Sequence, residues 1–207
     1  MQFESANPSV VRSVKQRDLL NAWLRALGKR QVLPAIEDYR PDRASEEIPD
    51  MMRFDVVRSG VHPRFIITQE GARLTATYGN EHIDPDKRTN RYLDDAIGPV
   101  RYERVVASYL TCVERKRPTY AVSMVRDEDG KDVAYERLLL PFGSGGDVAQ
   151  IVGSYKAISI EGGFKIRDLM SLNAEAPPMS VVRAVIDLDL IRGPVDQDAS
   201  DDIIELR

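Results

Sequence analysis

The sequence predicts an α+β domain built around an antiparallel sheet. Three observations carry that expectation. Two short β-patterned runs, 54–59 and 64–69, flank Gly60-Val-His-Pro63, which has the chemistry of a hairpin turn. A long helix over 100–117 places Tyr102, Val105, Val106, Tyr109, Leu110 and Val113 on one face. Three β-rich runs then follow at 120–126, 133–142 and 148–159. Asp127-Glu-Asp-Gly130 and Gly143-Ser-Gly-Gly-Asp147 separate them and read as hairpin loops.

In chain order, the first element is a helix over 13–28. Leu19, Leu20, Trp23, Leu24 and Leu27 recur at its period, Ser13 and Gln16 have capping-box spacing, and Gly28 supplies a stop. Pro34 and Pro41 punctuate a loop, and 45–52 reads as a short capped turn of helix before the first strand. After the hairpin, Leu74 and Tyr78 favour a helical turn over 71–79, and 80–91 is polar. A short helix over 92–97 is stopped by Gly98-Pro99, and Pro118 ends the long helix behind Arg115, Lys116 and Arg117. Within 133–140 both alternations are largely apolar: Val133, Tyr135 and Leu139 on one side, Ala134, Leu138 and Leu140 on the other. A strand with that pattern is covered on both faces. Beyond Gly162-Gly163, a short helix over 164–172, a linker over 174–178 and a late strand or partner-binding segment over 180–191 precede an acidic tail.

At 207 residues, with 43% hydrophobic and 30% charged residues, the chain can bury a substantial core. The lone Cys112 excludes an internal disulfide, and two histidines, His62 and His82, leave little for a metal site or histidine-based catalysis. The net charge of −4 argues against nucleic acid as a partner. No run approaches the ~18–20 apolar residues of a membrane span, and the first residues do not read as a signal peptide. The expected location is cytoplasmic. Charge is uneven: residues 1–30 carry six basic side chains against two acidic ones, whereas 194–207 is acidic.

The motifs of familiar chemistry are missing. The glycines of 143–147 lack the Lys-Ser/Thr of a phosphate loop, and the calcium-loop mimicry of Asp127 and Asp129 fails because Leu138 stands at the twelfth position. Cys112 reads as a small buried hydrophobe and His82 as a surface residue. Asp94-Asp95 reads as a solvated helix start. No catalytic residue and no metal ligand is assigned.

Short motifs in order carry a resemblance. They are Leu20-x-x-Trp23, Leu33-Pro34, Ile48-Pro-Asp-Met-Met52, Tyr78-Gly79, and Tyr135-Glu-Arg-Leu-Leu-Leu-Pro141 with its glycine-rich turn and 148–151. Through them residues 16–160 resemble the stand-alone PAS domain family of alphaproteobacteria, the PAS_5 family. The resemblance implies a five-stranded antiparallel sheet of order 2-1-5-4-3 with crossover helices on one face. The layout is then a flanking helix over 1–30, a PAS-like sensor domain over 31–163 and an extension over 164–207. It also implies a sensory or regulatory protein, not an enzyme, that acts through a signalling partner. The competing readings are a ligand-free interaction module and an enzyme on a similar curved sheet. No covalent flavin cysteine stands in the crossover, and the cofactor is left unknown.

Two sets of residues are singled out. Leu20, Trp23, Leu24 and Leu27 are expected at a homodimer interface, because PAS relatives often pair through such a flanking helix. Tyr78, Tyr92, Met124, Tyr135 and Arg137 are expected to line a pocket for a small anionic or apolar ligand. Tyr135 and Arg137 lie two apart on one strand and share a face. Arg137 then either meets an anionic ligand, or points outward to a neighbouring acid.

Overall fold

The computed structural model describes residues 2–28, 32–42, 44–78, 90–144, 146–159, 162–165 and 178–190, with the backbone alone at Thr75, Ala76 and Tyr78. The fold is α+β. Among the described residues eight strands form one mixed sheet: β1 (Glu4–Ala6), β2 (Met51–Val57), β3 (Arg64–Glu70), β4 (Arg91–Tyr92), β5 (Thr119–Arg126), β6 (Asp132–Phe142), β7 (Gln150–Ile158) and β8 (Met179–Ile186). Their order is β1-β8-β5-β6-β7-β2-β3-β4. The helices are α1 (Val14–Leu27), α2 (Ala44–Glu47), α3 (Ala72–Tyr78) and α4 (Leu93–Arg115).

The expected five-stranded antiparallel sheet is therefore corrected. The five β-patterned runs do lie side by side, as β3-β2-β7-β6-β5, and β2 pairs antiparallel with β7. Three strands extend the sheet beyond them. β4 adds two residues beside β3, while β8 adds a full strand beside β5 and itself pairs in parallel with β1. The segment expected to be an extension thus supplies a strand inside the sheet. Of the other expectations there, most of the helix over 164–172 and most of the linker over 174–178 lie outside the described residues, as does His82.

Local chemistry accounts for the helix boundaries. The Ser13 side chain accepts from the Gln16 amide at the start of α1, and Gly28 leaves it at φ 62°. α4 consists of two helical segments joined at Gly98, whose φ of 73° and ψ of 163° break the spiral. Pro99 then opens the second segment, where its missing N–H costs nothing.

The sheet is covered on both faces. Residues of α3, α4 and the odd-numbered side of β6 form one core with Phe54, Phe65, Tyr109, Cys112, Tyr135, Leu139 and Ile151. Residues of α1 and the even-numbered side form the other, with Leu19, Trp23, Tyr120, Leu138, Leu140 and Phe142. This arrangement corrects the expected place of the α1 stripe at an interface. Leu20, Trp23 and Leu27 are 1%, 0% and 5% exposed within a single chain, with Leu24 packed partly buried beside them. The Trp23 indole also donates to the Pro141 carbonyl at 2.7 Å. The apolar stripe meets its own sheet, and its buried members have no surface left for a second copy.

Polar contacts pin the same face. Gln16 Nε2 donates to the Ser154 carbonyl at 3.0 Å. Lys156 Nζ lies 2.6 Å from both Glu47 and Asp50, and Lys15 reaches Glu47 at 3.2 Å, so α1, α2 and β7 meet at one ion cluster. Glu136, 1% exposed, faces the start of α1 and accepts from the Ser13 amide at 3.3 Å. Burial pushes its carboxyl above the ordinary glutamate value, partly offset by the Tyr120 hydroxyl, the Ser13 amide and nearby Arg12.

Two outcomes follow from this packing. Burial of the sole tryptophan predicts blue-shifted emission that moves red on unfolding, and Trp23→Ala should cost about 3–5 kcal/mol in urea denaturation. A loss below about 1 kcal/mol would mean that α1 is not an integral cover of the sheet. For Glu136, the folded chain binds the proton more tightly than the unfolded chain does. Its contribution to stability therefore grows as pH falls through the raised folded-state value toward the ordinary one, and is lost as pH rises. Glu136→Gln should gain stability relative to wild type as pH rises from the ordinary glutamate value through the raised folded-state one. Parallel stability profiles for the two proteins would refute the assignment.

Candidate functional site

Consecutive residues of a strand point to opposite faces, and β6 uses this at Glu136 and Arg137. Glu136 turns to α1, as described above. Arg137 turns to the α4 side with Tyr135 and Leu139, and is 8% exposed. Glu136 therefore cannot serve as its counter-charge. Nε of Arg137 has no hydrogen-bond partner among the described residues. A desolvated guanidinium in that position is costly unless something anionic or aqueous meets it.

The pairing register shows what surrounds it. Residues directly opposite on neighbouring strands share a face. Ala121 of β5 stands between Arg137 of β6 and Arg183 of β8. In the next row, Ser123 stands between Tyr135 and Ser180. Ala121, Ser123 and Ser180 are small, and they leave a hollow among Arg137, Tyr135 and Arg183. Above it lies the start of the second α4 segment, which contributes Arg101 from its first turn and Arg104 from its second. The result is a cavity of about 140 Å³ lined by Arg101, Arg104, Ser123, Arg137, Ser180 and Arg183, closed by Val105 and Pro178.

The cavity has an inner and an outer part. Arg101 is 5% exposed and buried like Arg137, whereas Arg104 is exposed at the mouth. Arg183 is oriented by a hydrogen bond from its Nε to Ser180 Oγ, 3.1 Å long. No aspartate or glutamate is among the described lining residues. Guanidinium groups and hydroxyls are donors suited to oxyanions, since each arginine presents a planar fork of N–H groups.

Of the residues expected in a pocket, Arg137 is the one that lines this cavity. Tyr135 shares its face but lies in the apolar core, its ring 6.4 Å from that of Tyr155. Met124 is corrected: it pairs with Ala134 and so occupies the α1 face, while Ser123 takes the place toward α4. Tyr92 is also corrected. It lies on β4, four strands from β6, where its ring carries the Arg64 guanidinium at 3.6 Å. Arg64 in turn pairs with Asp94 at 2.8 Å and Asp95 at 3.3 Å, so those carboxylates have a structural partner. The side chain of Tyr78 lies outside the described residues. The outward reading of Arg137, with a salt bridge to a neighbouring acid, does not hold among the described residues.

Sequence reasoning missed Arg101, Arg104, Ser123, Ser180 and Arg183. The i, i+3 spacing of Arg101 and Arg104 on one helix face was the available signal. Elsewhere the polar groups serve the fold. Asp127 Oδ1 accepts from the Asp129 and Lys131 amides at 2.9 Å each, which closes its hairpin. Cys112 is fully buried, its thiol pushed up by burial and directed at the Leu139 carbonyl, 3.8 Å away. A larger depression of about 470 Å³ lies between Ile36, Asp55 and Ser144, but Asp55 there already accepts from Gln150 at 2.9 Å. Among the described residues no group of three or more His, Cys, Asp and Glu side chains is placed to hold a metal, and no helix is long and apolar enough to cross a membrane. Compared with models of known protein families and with curated proteins, the chain matches none.

Proposed function

We propose that this chain is a PAS-type sensory or regulatory module of the cytoplasm that binds a small anion in the cavity between α4 and the sheet. The signal passes to a protein partner. The observation that carries the reading is Arg137: a buried guanidinium, held on a rigid central strand, facing a cavity whose other polar groups among the described residues are arginines and serines. Rigid placement on a strand favours binding, because little rotamer freedom remains to be lost when the ligand arrives.

Binding, rather than turnover, is what this lining chemistry supports. A serine nucleophile needs a base within hydrogen-bond reach. Ser123 and Ser180 have arginines as their described polar neighbours in the cavity, and arginine stays protonated. The position of α4 offers a route for the signal. An anion drawn between Arg101 on α4 and Arg137 on β6 would alter the seating of that helix on the sheet, and only differential affinity for two seatings would shift their populations.

Calorimetry on the full chain with acetate, succinate, benzoate and inorganic phosphate, in a buffer free of other polyanions, tests the reading. At least one of these should bind the wild type, with binding lost in Arg137→Met. Equal affinity in both proteins, or no binding of any anion to the wild type, would overturn it.

A further inference from the structure

We infer that the segment joining β1 to α1, residues 7–13, is a proton-sensitive strap across the sheet. It lies closed while Glu136 carries a proton and lifts more readily once Glu136 is ionised. The strap crosses the α1 face, so the inference does not depend on the anion-binding reading of the opposite face.

Geometry is the first argument. The strap is anchored at both ends. Before it, β1 pairs with β8, and the Asp187 amide donates to the Ala6 carbonyl at 2.9 Å. After it, α1 is pinned by Gln16 on the Ser154 carbonyl and by Trp23 on the Pro141 carbonyl. Between these anchors the Arg12 amide donates to Tyr120 Oη at 3.2 Å, and the Ser13 amide donates to Glu136 Oε2 at 3.3 Å. Val11, fully buried, packs with the α1 stripe. Lifting the strap would therefore wet Glu136 while both anchors stay in place.

The charges around Glu136 are the second argument. Lys156 stands directly opposite on β7, but its Nζ lies 2.6 Å from both Glu47 and Asp50, and Lys15 of α1 also reaches Glu47. Arg12 lies exposed on the strap itself, where solvent screens it. In the same row β5 offers Val122 and β8 offers Val182, neither of them charged. An ionised Glu136 is thus a buried carboxylate with no salt bridge among the described residues. The Tyr120 hydroxyl, the Ser13 amide and the positive end of the α1 dipole favour its charge, but burial outweighs them and raises the carboxyl. Burial raises the Tyr120 hydroxyl as well, so that group keeps its proton. Glu136 is left as the group that titrates beneath the strap.

The direction of the effect follows from linkage. Burial penalises only the charged form, so opening relieves Glu136 only when it is ionised. Below the ordinary glutamate value opening is independent of pH. It becomes easier as pH rises from there through the raised closed-state value, and levels off beyond it.

The test is amide hydrogen exchange on the full chain, resolved by residue and corrected for the chemical pH dependence of exchange. It runs from below the ordinary glutamate value of about 4.3 to neutral pH. Protection at Arg12 and Ser13 should fall by up to about tenfold per pH unit within the interval. It should stay constant in Glu136→Gln, which keeps the side-chain volume and an acceptor oxygen. The Trp23 and Leu138 amides should remain better protected than Arg12 and Ser13 throughout, and Trp23 emission should not move, because the body of α1 stays seated. A flat wild-type profile at Arg12 and Ser13, or the same fall in Glu136→Gln, would overturn the inference. Equal protection at Arg12, Ser13, Trp23 and Leu138 would also overturn it, since Glu136 would then meet water only on global unfolding.

Discussion

Coverage of the sheet on both faces is the constraint on which the rest of the structure depends. β6 lies in the middle of the sheet and is apolar on both alternations, so neither face can be left to water. α4 and α3 answer one side, and α1 the other. Each cover is fastened by directional contacts as well as apolar area. Trp23 bonds to the Pro141 carbonyl, and Gln16 reaches β7. These bonds fix the position of α1 on the sheet, which apolar burial alone would leave free to slide.

A doubly covered strand makes any charge on it expensive, and β6 carries two in succession. The chain resolves them in different ways. Glu136 is surrounded by donors at the start of α1, so its burial is partly offset within the fold. The Nε of Arg137 has no equivalent acceptor among the described residues; it sits where Ala121 and Ser123 leave a hollow and where α4 brings further arginines. Adjacent residues of opposite charge therefore do unrelated work. One joins α1 to the sheet, and the other opens toward a cavity.

The strands that enlarge the sheet also make that cavity. β8 supplies Ser180 and Arg183, and its pairing with β5 sets their rows against Ser123 and Ala121. A sheet that ended at β5 would leave the hollow open along one side. The Gly98 break matters equally, because it starts a new helical segment whose first two turns carry Arg101 and Arg104 over the sheet.

Local pattern determined a good deal by itself. The helical stripe of α1, the Ser13 cap, the Gly98-Pro99 break and the hairpin turns were legible because each depends on residues a few positions apart. The shared face of Tyr135 and Arg137 was legible for the same reason: strand alternation is a local geometry. Tertiary structure alone decided what each face meets. The stripe Leu20, Trp23 and Leu27 read equally well against a partner or against its own sheet, since periodicity records which residues align and not what covers them. β1 has three residues and β4 two, too few to leave a periodic signal. The arginine cavity joins side chains from positions 101 to 183 through strand register and a helix placement, and such long-range registration follows from packing the whole chain.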